Sequence, residues 1–354
     1  MKNVHVNASG SYDITIGSGL LPQLGALLKP VKSDCRVAVI TDDTVNGFYG
    51  DAVTASLERE GYRPAVYVFP NGEHAKNLGT YTDILEFLAA EHFTRGDMIL
   101  ALGGGVPGDI GGFAAATYLR GVPVIQAPTT FLAAVDSSVG GKTGVNLSAG
   151  KNLAGAFWQP SAVFCDCDTF KTLPAETLAD GISESIKYGC ILDRGLFEKF
   201  EAGVTAADYE EVVERCVSIK RDVVEKDERD TGLRQLLNFG HTVGHGIEKN
   251  AEYEISHGHA VAVGMVIAAG IAEKLGFAQE PCRERIVRTL QKYGLPTKTE
   301  YSAEALAKAA LSDKKRNGSA LTLILPRRIG ECALYKTKAD DVVKLIALGL
   351  EETV

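Results

Sequence analysis

The stretch Asp97-Met-Ile-Leu-Ala-Leu-Gly-Gly-Gly-Val-Pro-Gly-Asp109 decides the fold class. A short apolar strand, Asp97–Leu102, runs into a glycine turn, and a helix is expected from about Asp109 to Tyr118. Another strand, Val122–Ala127, follows. Upstream the same alternation holds. Strands are expected at Tyr12–Ile16, Arg36–Thr41 and Ala65–Phe69, and helices at Leu20–Leu28, Ala52–Glu60 and Thr80–Glu91. Strands and helices in alternation predict a parallel α/β sheet. Ligands of such sheets gather beyond the carboxyl ends of the strands.

Gly103 to Gly108 fits G-x-G-x-x-G, directly after a strand and directly before a helix. Glycines let backbone approach a pyrophosphate, and a helix start offers unpaired N–H groups to it. A purely structural turn has the same letters. The acidic residue expected at the end of the next strand is missing, because Val122–Ala127 ends in Pro128-Thr129-Thr130. Asp42, just past the strand Arg36–Thr41, is the alternative partner for a ribose hydroxyl. Farther on, Gly141-Lys142-Thr143 invites a P-loop reading, but Asp136 stands where the first glycine of that motif belongs. What remains is Lys142, and then Lys151 after Gly150, on glycine-flexible loops. Each is either solvated or part of an anion-binding loop.

A chain of 354 residues exceeds one ordinary core, so two domains are expected. Past Thr172-Leu-Pro the pattern turns to long helices, which places the boundary near Leu173. The expected architecture is an α/β nucleotide-binding domain with a parallel sheet, residues 1–173, followed by a mostly α-helical domain, residues 174–354. The expected helices are Ala175–Tyr188, Arg194–Phe200, Tyr209–Glu225, Leu233–Lys249, His259–Leu275, Pro281–Tyr293 and Ala303–Leu311. Only Leu321–Leu325 and Ala333–Tyr335 read as strands there. A net charge of −8 argues against a nucleic-acid or anionic-membrane surface, and still allows a small anionic substrate held by local Lys and Arg. The longest apolar run, Ala260–Ala272, falls short of the roughly 20 residues that span a bilayer. Seven cysteines, mostly in apolar runs, and no signal-peptide pattern after Met1 point to reduced thiols in a cytoplasmic protein.

Four of the seven histidines lie between Arg234 and Met265. His241 and His245 are one helical turn apart on one face, and His257 and His259 open the next apolar helix. Paired imidazoles at this spacing suit a metal ion, although two histidines on a helix surface have the same spacing. Thr242 after His241 excludes the zincin pattern, which needs Glu there. Glu184 lies in the otherwise apolar Gly181–Gly189. Its burial is relieved either by ligation or by an ion pair with Lys187, three residues on. Glu184, His241 and His257 would form a Glu/His/His set with an open position, leaving His245 as a proton carrier.

These blocks, in this order, resemble the 3-dehydroquinate synthase family. The resemblance rests on Gly103–Asp109, Ala115–Gly121, Pro128–Thr130, Val135–Asn146, Gly150–Asn152, Gly181–Gly189, Leu236–His245 and His257-Gly258. It implies a homodimeric enzyme with NAD and one divalent ion, zinc or cobalt. The implied reaction turns 3-deoxy-D-arabino-heptulosonate 7-phosphate into 3-dehydroquinate and phosphate, by transient oxidation, elimination, re-reduction and aldol closure. Glu184, His241 and His257 then fall at the metal positions, between the domains. Asp42, Glu73, Lys76, Gly104, Gly105, Asp109, Thr129 and Thr130 fall at dinucleotide positions, with Thr44 and Val106 beside them. Asp136, Asn152, Lys187, Lys220, Arg234, Asn238 and His245 fall at substrate positions. Lys142 and Lys151 are assigned to both. Arg120 corresponds to a residue that reaches the neighbouring subunit's phosphate site, and Lys314 is preferred over Lys315 as a further substrate contact. Departures from the family pattern are Pro107 in the glycine loop, Asp230 for a longer Glu, Thr44 for Asn, and His259 for the commoner Glu. His259 is expected outside the metal's own ligands, since two residues from His257 it cannot share a helix face. A related sugar-phosphate cyclase, a metal-dependent polyol dehydrogenase and a silent NAD-binding regulator are the rival readings.

Overall fold

Seven strands make the central sheet: β1 (Lys2–Asn7), β2 (Ser11–Gly17), β3 (Arg36–Asp42), β4 (Arg63–Phe69), β5 (Met98–Gly103), β6 (Val124–Pro128) and β9 (Ala162–Asp166). Between β6 and β9 the chain forms a separate antiparallel hairpin of β7 (Lys142–Leu147) and β8 (Gly150–Phe157). The structure is a computed structural model and describes residues 1–252, 254–314 and 320–351. The chain divides into two compact units, Met1–Leu173 with Tyr209–Arg229, and Pro174–Asp208 with Asp230–Val354.

In the first unit the sheet order is β1-β2-β9-β6-β5-β3-β4, parallel except for β1. Every residue of β5 and β6 is buried, as expected of strands covered on both faces. Alternation splits their side chains between two cores. Val37, Val39, Leu100, Leu102 and Ile125 enter one, while Ala38, Ile40, Ile99, Ala101 and Val124 enter the other. From β3 the chain moves outward to β4, then returns to the other side of β3 for β5. The topological switch point therefore lies between β3 and β5, where open α/β sheets bind ligands.

In this first unit three features differ from the sequence expectation. The edge strand β1 has a polar outer face and no apolar run to mark it. The loops expected around Lys142 and Lys151 are strands of a hairpin, whose glycines weaken the strand pattern. The helix Tyr209–Lys226, expected in the second domain, belongs with the first unit. Its apolar stripe of Val212, Val213, Cys216, Val217 and Val224 is buried. Glu225 accepts a hydrogen bond from Asn7 N (2.7 Å), and Glu214 pairs with Lys2 (2.5 Å).

The second unit is helical, with a two-stranded ribbon of β10 (Ala320–Arg328) and β11 (Glu331–Lys338). The helix expected over Leu233–Lys249 is broken into a short 3-10 segment, Leu233–Asn238, and the helix His241–Asn250. Gly240 stands between them at φ +82°, where an added Cβ would meet Met265 Cγ and Val261 O at 2.8 Å. Only glycine supplies that turn without strain. A helix at Val342–Leu350 is present that the sequence reading omits. Among the described residues no helix is long and apolar enough to cross a membrane.

Candidate active site

Three helices of the second unit bring the metal candidates together. Ala175–Leu192 carries Glu184, His241–Asn250 carries His241 and His245, and His257–Lys274 opens with His257. Glu184 is 1% exposed, and its Oε1 lies 3.6 Å from Nε2 of both His241 and His257. Its other oxygen, Oε2, pairs with the ammonium of Lys187, which is fully buried. One carboxylate thus faces a cation on one side and two imidazoles on the other. Ligands about 2.05 Å from a tetrahedral ion lie roughly 3.3 Å apart, so the 3.6 Å separations fit a shared divalent ion. One ligand atom from each of the three residues lies within 4.8 Å of the other two.

The ring orientations suit this use. His241 Nδ1 lies 3.1 Å from Phe239 O, so a proton on Nδ1 leaves the Nε2 lone pair facing Glu184. Burial, then the positive charge of Lys187 and the neighbouring imidazoles, hold His241 well below its ordinary pKa. It is a neutral, ligand-competent ring. Burial also opposes charge on His257, but the hydrogen bond and charge of Glu248, with Glu184 beyond, raise it above the usual value. Glu248 Oε2 lies 3.3 Å from His257 Nδ1. The His245 ring, exposed, sits 5.6 Å from that of His241 and 6.0 Å from that of His257. His245, Glu248 and His257 form a second group that shares His257 with the first. Nδ1 of His259 turns instead to Asp180 Oδ1, 2.9 Å away. Sequence reading missed Glu248 and Asp180. Glu248 sits seven residues after His241 and three after His245, on their face of the helix, which was the available signal.

The dinucleotide candidates gather in the first unit, at the carboxyl ends of neighbouring strands. Asp42 ends β3, Gly103 ends β5, and Thr129 follows β6. Asp42, the acidic candidate, therefore stands on the strand beside the glycine turn, across the switch point, and not on the next strand in sequence. Gly104 caps the helix Gly105–Thr117, with Val106 in its first turn and Pro107 where no amide hydrogen is needed. A Cβ on Gly104 would meet Thr130 Cγ2 at 2.9 Å, so the turn lies against Thr130. Thr129 N donates to Gly103 O (2.9 Å) and ties the two strand ends. Asp42 is buried and accepts from Val45 N (2.9 Å), capping the short helix Asp43–Val45 in which Thr44 is exposed. Lys76 is buried against Asp109 (2.5 Å); burial works against its ammonium, but Asp109 and Glu73 hold it above the ordinary range. Glu73 accepts from Asn146 Nδ2 (2.7 Å), and Asn146 N donates to Lys76 O (2.9 Å). These bonds dock the β7–β8 hairpin on the same segment.

On that hairpin Lys142 opens β7, and Lys151 and Asn152 lie at the start of β8. Asn152 takes φ +55° while its N–H donates to Asn146 Oδ1 (2.8 Å). Lys220 is buried, donates to Asp136 O (2.7 Å) and pairs with the Asp136 carboxylate. Arg120 is exposed at φ +68°, directly after Leu119 at φ +50°. In the second unit Arg234 is 1% exposed and Asn238 exposed, both on the 3-10 segment before Gly240. Lys314 ends the helix Ala303–Lys314, and Lys315 lies outside the described residues.

Residues 66–180 match the 3-dehydroquinate synthase N-terminal family profile, and residues 181–316 the C-terminal one. The chain is 43% identical over 353 residues to a 3-dehydroquinate synthase of Clostridium acetobutylicum, covering 98% of this chain and 99% of that one. Among solved structures, 2-deoxy-scyllo-inosose synthase with carbaglucose-6-phosphate, NAD+ and Co2+ superposes with a TM-score of 0.89 at 27% identity, covering 98% of this chain and 99% of that one. A 2-epi-5-epi-valiolone synthase of Streptomyces hygroscopicus subsp. jinggangensis, with NAD+ and Zn2+, superposes with a TM-score of 0.87 at 28% identity, with 98% of each chain covered. Relatives that match from end to end, and a site of the composition expected from the motifs, lead to one conclusion: the chain belongs to the 3-dehydroquinate synthase family.

Proposed function

We infer that this chain converts 3-deoxy-D-arabino-heptulosonate 7-phosphate to 3-dehydroquinate and phosphate, as a lyase of the shikimate route. The observation that carries the reading is the Glu184–His241–His257 group, two half-buried imidazoles facing one oxygen of a buried carboxylate at 3.6 Å. When bound, NAD supplies reversible hydride acceptance and a divalent ion supplies Lewis acidity at the alcohol to be oxidised. The chain's own groups do the rest. Asp42 and the Gly103–Gly105 turn hold the dinucleotide at the switch point, with Glu73, Lys76, Asp109, Thr129 and Thr130 around it. Lys142, Lys151 and Asn152 offer donors to the phosphate, with Arg234, Asn238 and Lys220 for the carboxylate. His245, exposed beside the metal group, carries protons.

The first unit is the dinucleotide-binding domain in this reading, and the second the metal- and substrate-binding domain. The active species is a homodimer in which Arg120 serves the neighbouring subunit; two successive left-handed residues, Leu119 and Arg120, support a functional reason for that turn. Seven buried free thiols suit a reducing cytoplasm.

The test is stoichiometry. Substoichiometric NAD should support many turnovers, with phosphate release equal to substrate loss and little steady absorbance from reduced cofactor. Reduced cofactor accumulating in step with substrate loss would overturn the synthase reading in favour of a polyol dehydrogenase.

A further inference from the structure

The first turn of the helix His257–Lys274 is not capped by its own residue. Ser256 precedes it in extended conformation, φ −66° and ψ 157°, and makes no side-chain bond to the amides of the turn it should cap. A serine there ordinarily accepts from the third amide of the helix. That amide, His259 N, instead donates to Asp180 Oδ1 on the helix Ala175–Leu192 (3.1 Å). Ser256 Oγ donates to the same oxygen (2.6 Å), and His259 Nδ1 lies 2.9 Å from it. One carboxylate oxygen thereby holds three groups of a neighbouring helix. Ser183 Oγ adds a donor to Gly258 O (2.7 Å). The approach is close enough that a Cβ on Gly258 would fall 2.4 Å from Asp180 Cα.

These bonds flank the metal group on both helices. Residues 256, 258 and 259 are fastened, with His257 between them. Asp180 and Ser183 are the fasteners, and Glu184 follows, one helical turn beyond Asp180 on the same face. We propose that Asp180, through Ser256 and His259, is a positioning residue that latches the first turn of the helix His257–Lys274 and so holds His257 opposite Glu184 before any ion arrives. The proposal rests on the metal reading above. It assigns His259 a definite role: the ring does not ligate, but belongs to the latch that orients its neighbour two residues away.

The test is metal affinity of the full chain, stripped with a chelator and titrated with Co2+ followed by its visible absorption. Asp180→Ala should weaken Co2+ binding about tenfold or more, the range for loss of groups that orient metal ligands, and alter the absorption that reports coordination. Asp180→Asn keeps an acceptor for Ser256 and the His259 amide, and should recover most of the loss. Ser256→Ala removes the contacts of its hydroxyl to Asp180 Oδ1 (2.6 Å) and His259 Nδ1 (2.7 Å) but leaves the carboxylate in place, and should weaken binding less than Asp180→Ala. Thr289→Ala serves as control, because it removes a buried hydroxyl that bonds Arg285 O (2.8 Å) elsewhere in the same unit. Unchanged affinity in Asp180→Ala, or an equal loss in Thr289→Ala, overturns the latch. Failure of the metal reading looks different: wild type and Glu184→Ala would then take up Co2+ equally weakly.

Discussion

Glu184 gives its two oxygens to unlike partners, Oε2 to Lys187 and Oε1 to the space between His241 and His257. Removing the lysine leaves a buried carboxylate without its cation, which costs about 3–5 kcal/mol in comparable cases. Lys187→Met should therefore destabilise the metal-free protein by that amount in a denaturant melt, and added Zn2+ or Co2+ should restore part of it. Equal losses with and without metal would separate the ion pair from the metal group. A second carboxylate, Asp97, gives a pH signature. Burial pushes it up, but hydrogen bonds from Arg36 N, Thr94 N and Thr94 Oγ (2.7–2.8 Å) win and hold it below the usual range. A folded-state value below the unfolded one stabilises above about pH 4, and that contribution is lost as pH falls through the folded value. Asp97→Asn should flatten the acid limb of stability below about pH 5, measured by denaturant unfolding. At this scale the sequence was informative where spacing carries the message. Histidines four apart mark His241 and His245, a second pair opening the next helix marks His257, and a carboxylate in an apolar helix marks Glu184. Glu248 shares the helix face of His241 and His245 and could have been added to them; Asp180 bears no such mark, because a carboxylate on a helix does not announce which neighbouring helix it meets.

Among elements, the break at Gly240 is what a hydrophobic pattern cannot show. Residues Leu233 to Lys249 keep a helical period on both sides, so the sequence reads as one helix. The left-handed glycine ends it, and lets the helix that carries His241 start against Met265 and Val261. Gly240→Ala meets both a strained φ and a 2.8 Å collision. It should cost about 1–3 kcal/mol in denaturant unfolding. It should also weaken Co2+ binding, because His241 is the next residue. Undiminished metal affinity in a destabilised Gly240→Ala protein would show that the turn matters to the fold alone. The β7–β8 hairpin was hidden for the opposite reason. Gly144, Gly150 and Gly155 dilute its strand character, and its faces are only partly buried. Lys142 and Lys151 consequently read as loop residues, although both lie within strands of the hairpin.

For the whole molecule, the alternation of strands and helices made the α/β class legible, and the sheet order explains the odd position of Asp42. Adjacent strands β3 and β5 carry the acidic residue and the glycine turn, so their separation in sequence is no separation in the sheet. The homodimer can be tested by complementation. Arg120→Ala and Lys151→Ala subunits should each be nearly inactive alone. A mixed dimer should regain activity if Arg120 acts across the boundary, since one of its sites then holds neither defect. No recovery in mixed dimers would place Arg120 in its own subunit's site.

The helix Tyr209–Lys226 could not be assigned from its own pattern, since an amphipathic stripe fits either unit. Its placement bears on synthesis. A chain leaving the ribosome folds from its beginning, domain by domain, at about 5–20 residues per second. Here the first unit cannot finish when Leu173 emerges. Lys220 has yet to meet Asp136, and the stripe of Val212, Val213 and Cys216 has yet to be made. Residues 174–208, which belong to the other unit, must be produced and kept waiting before the first is complete. The nascent protein therefore carries two unfinished bodies at once, and a helper that shields apolar surface has its longest task in that interval.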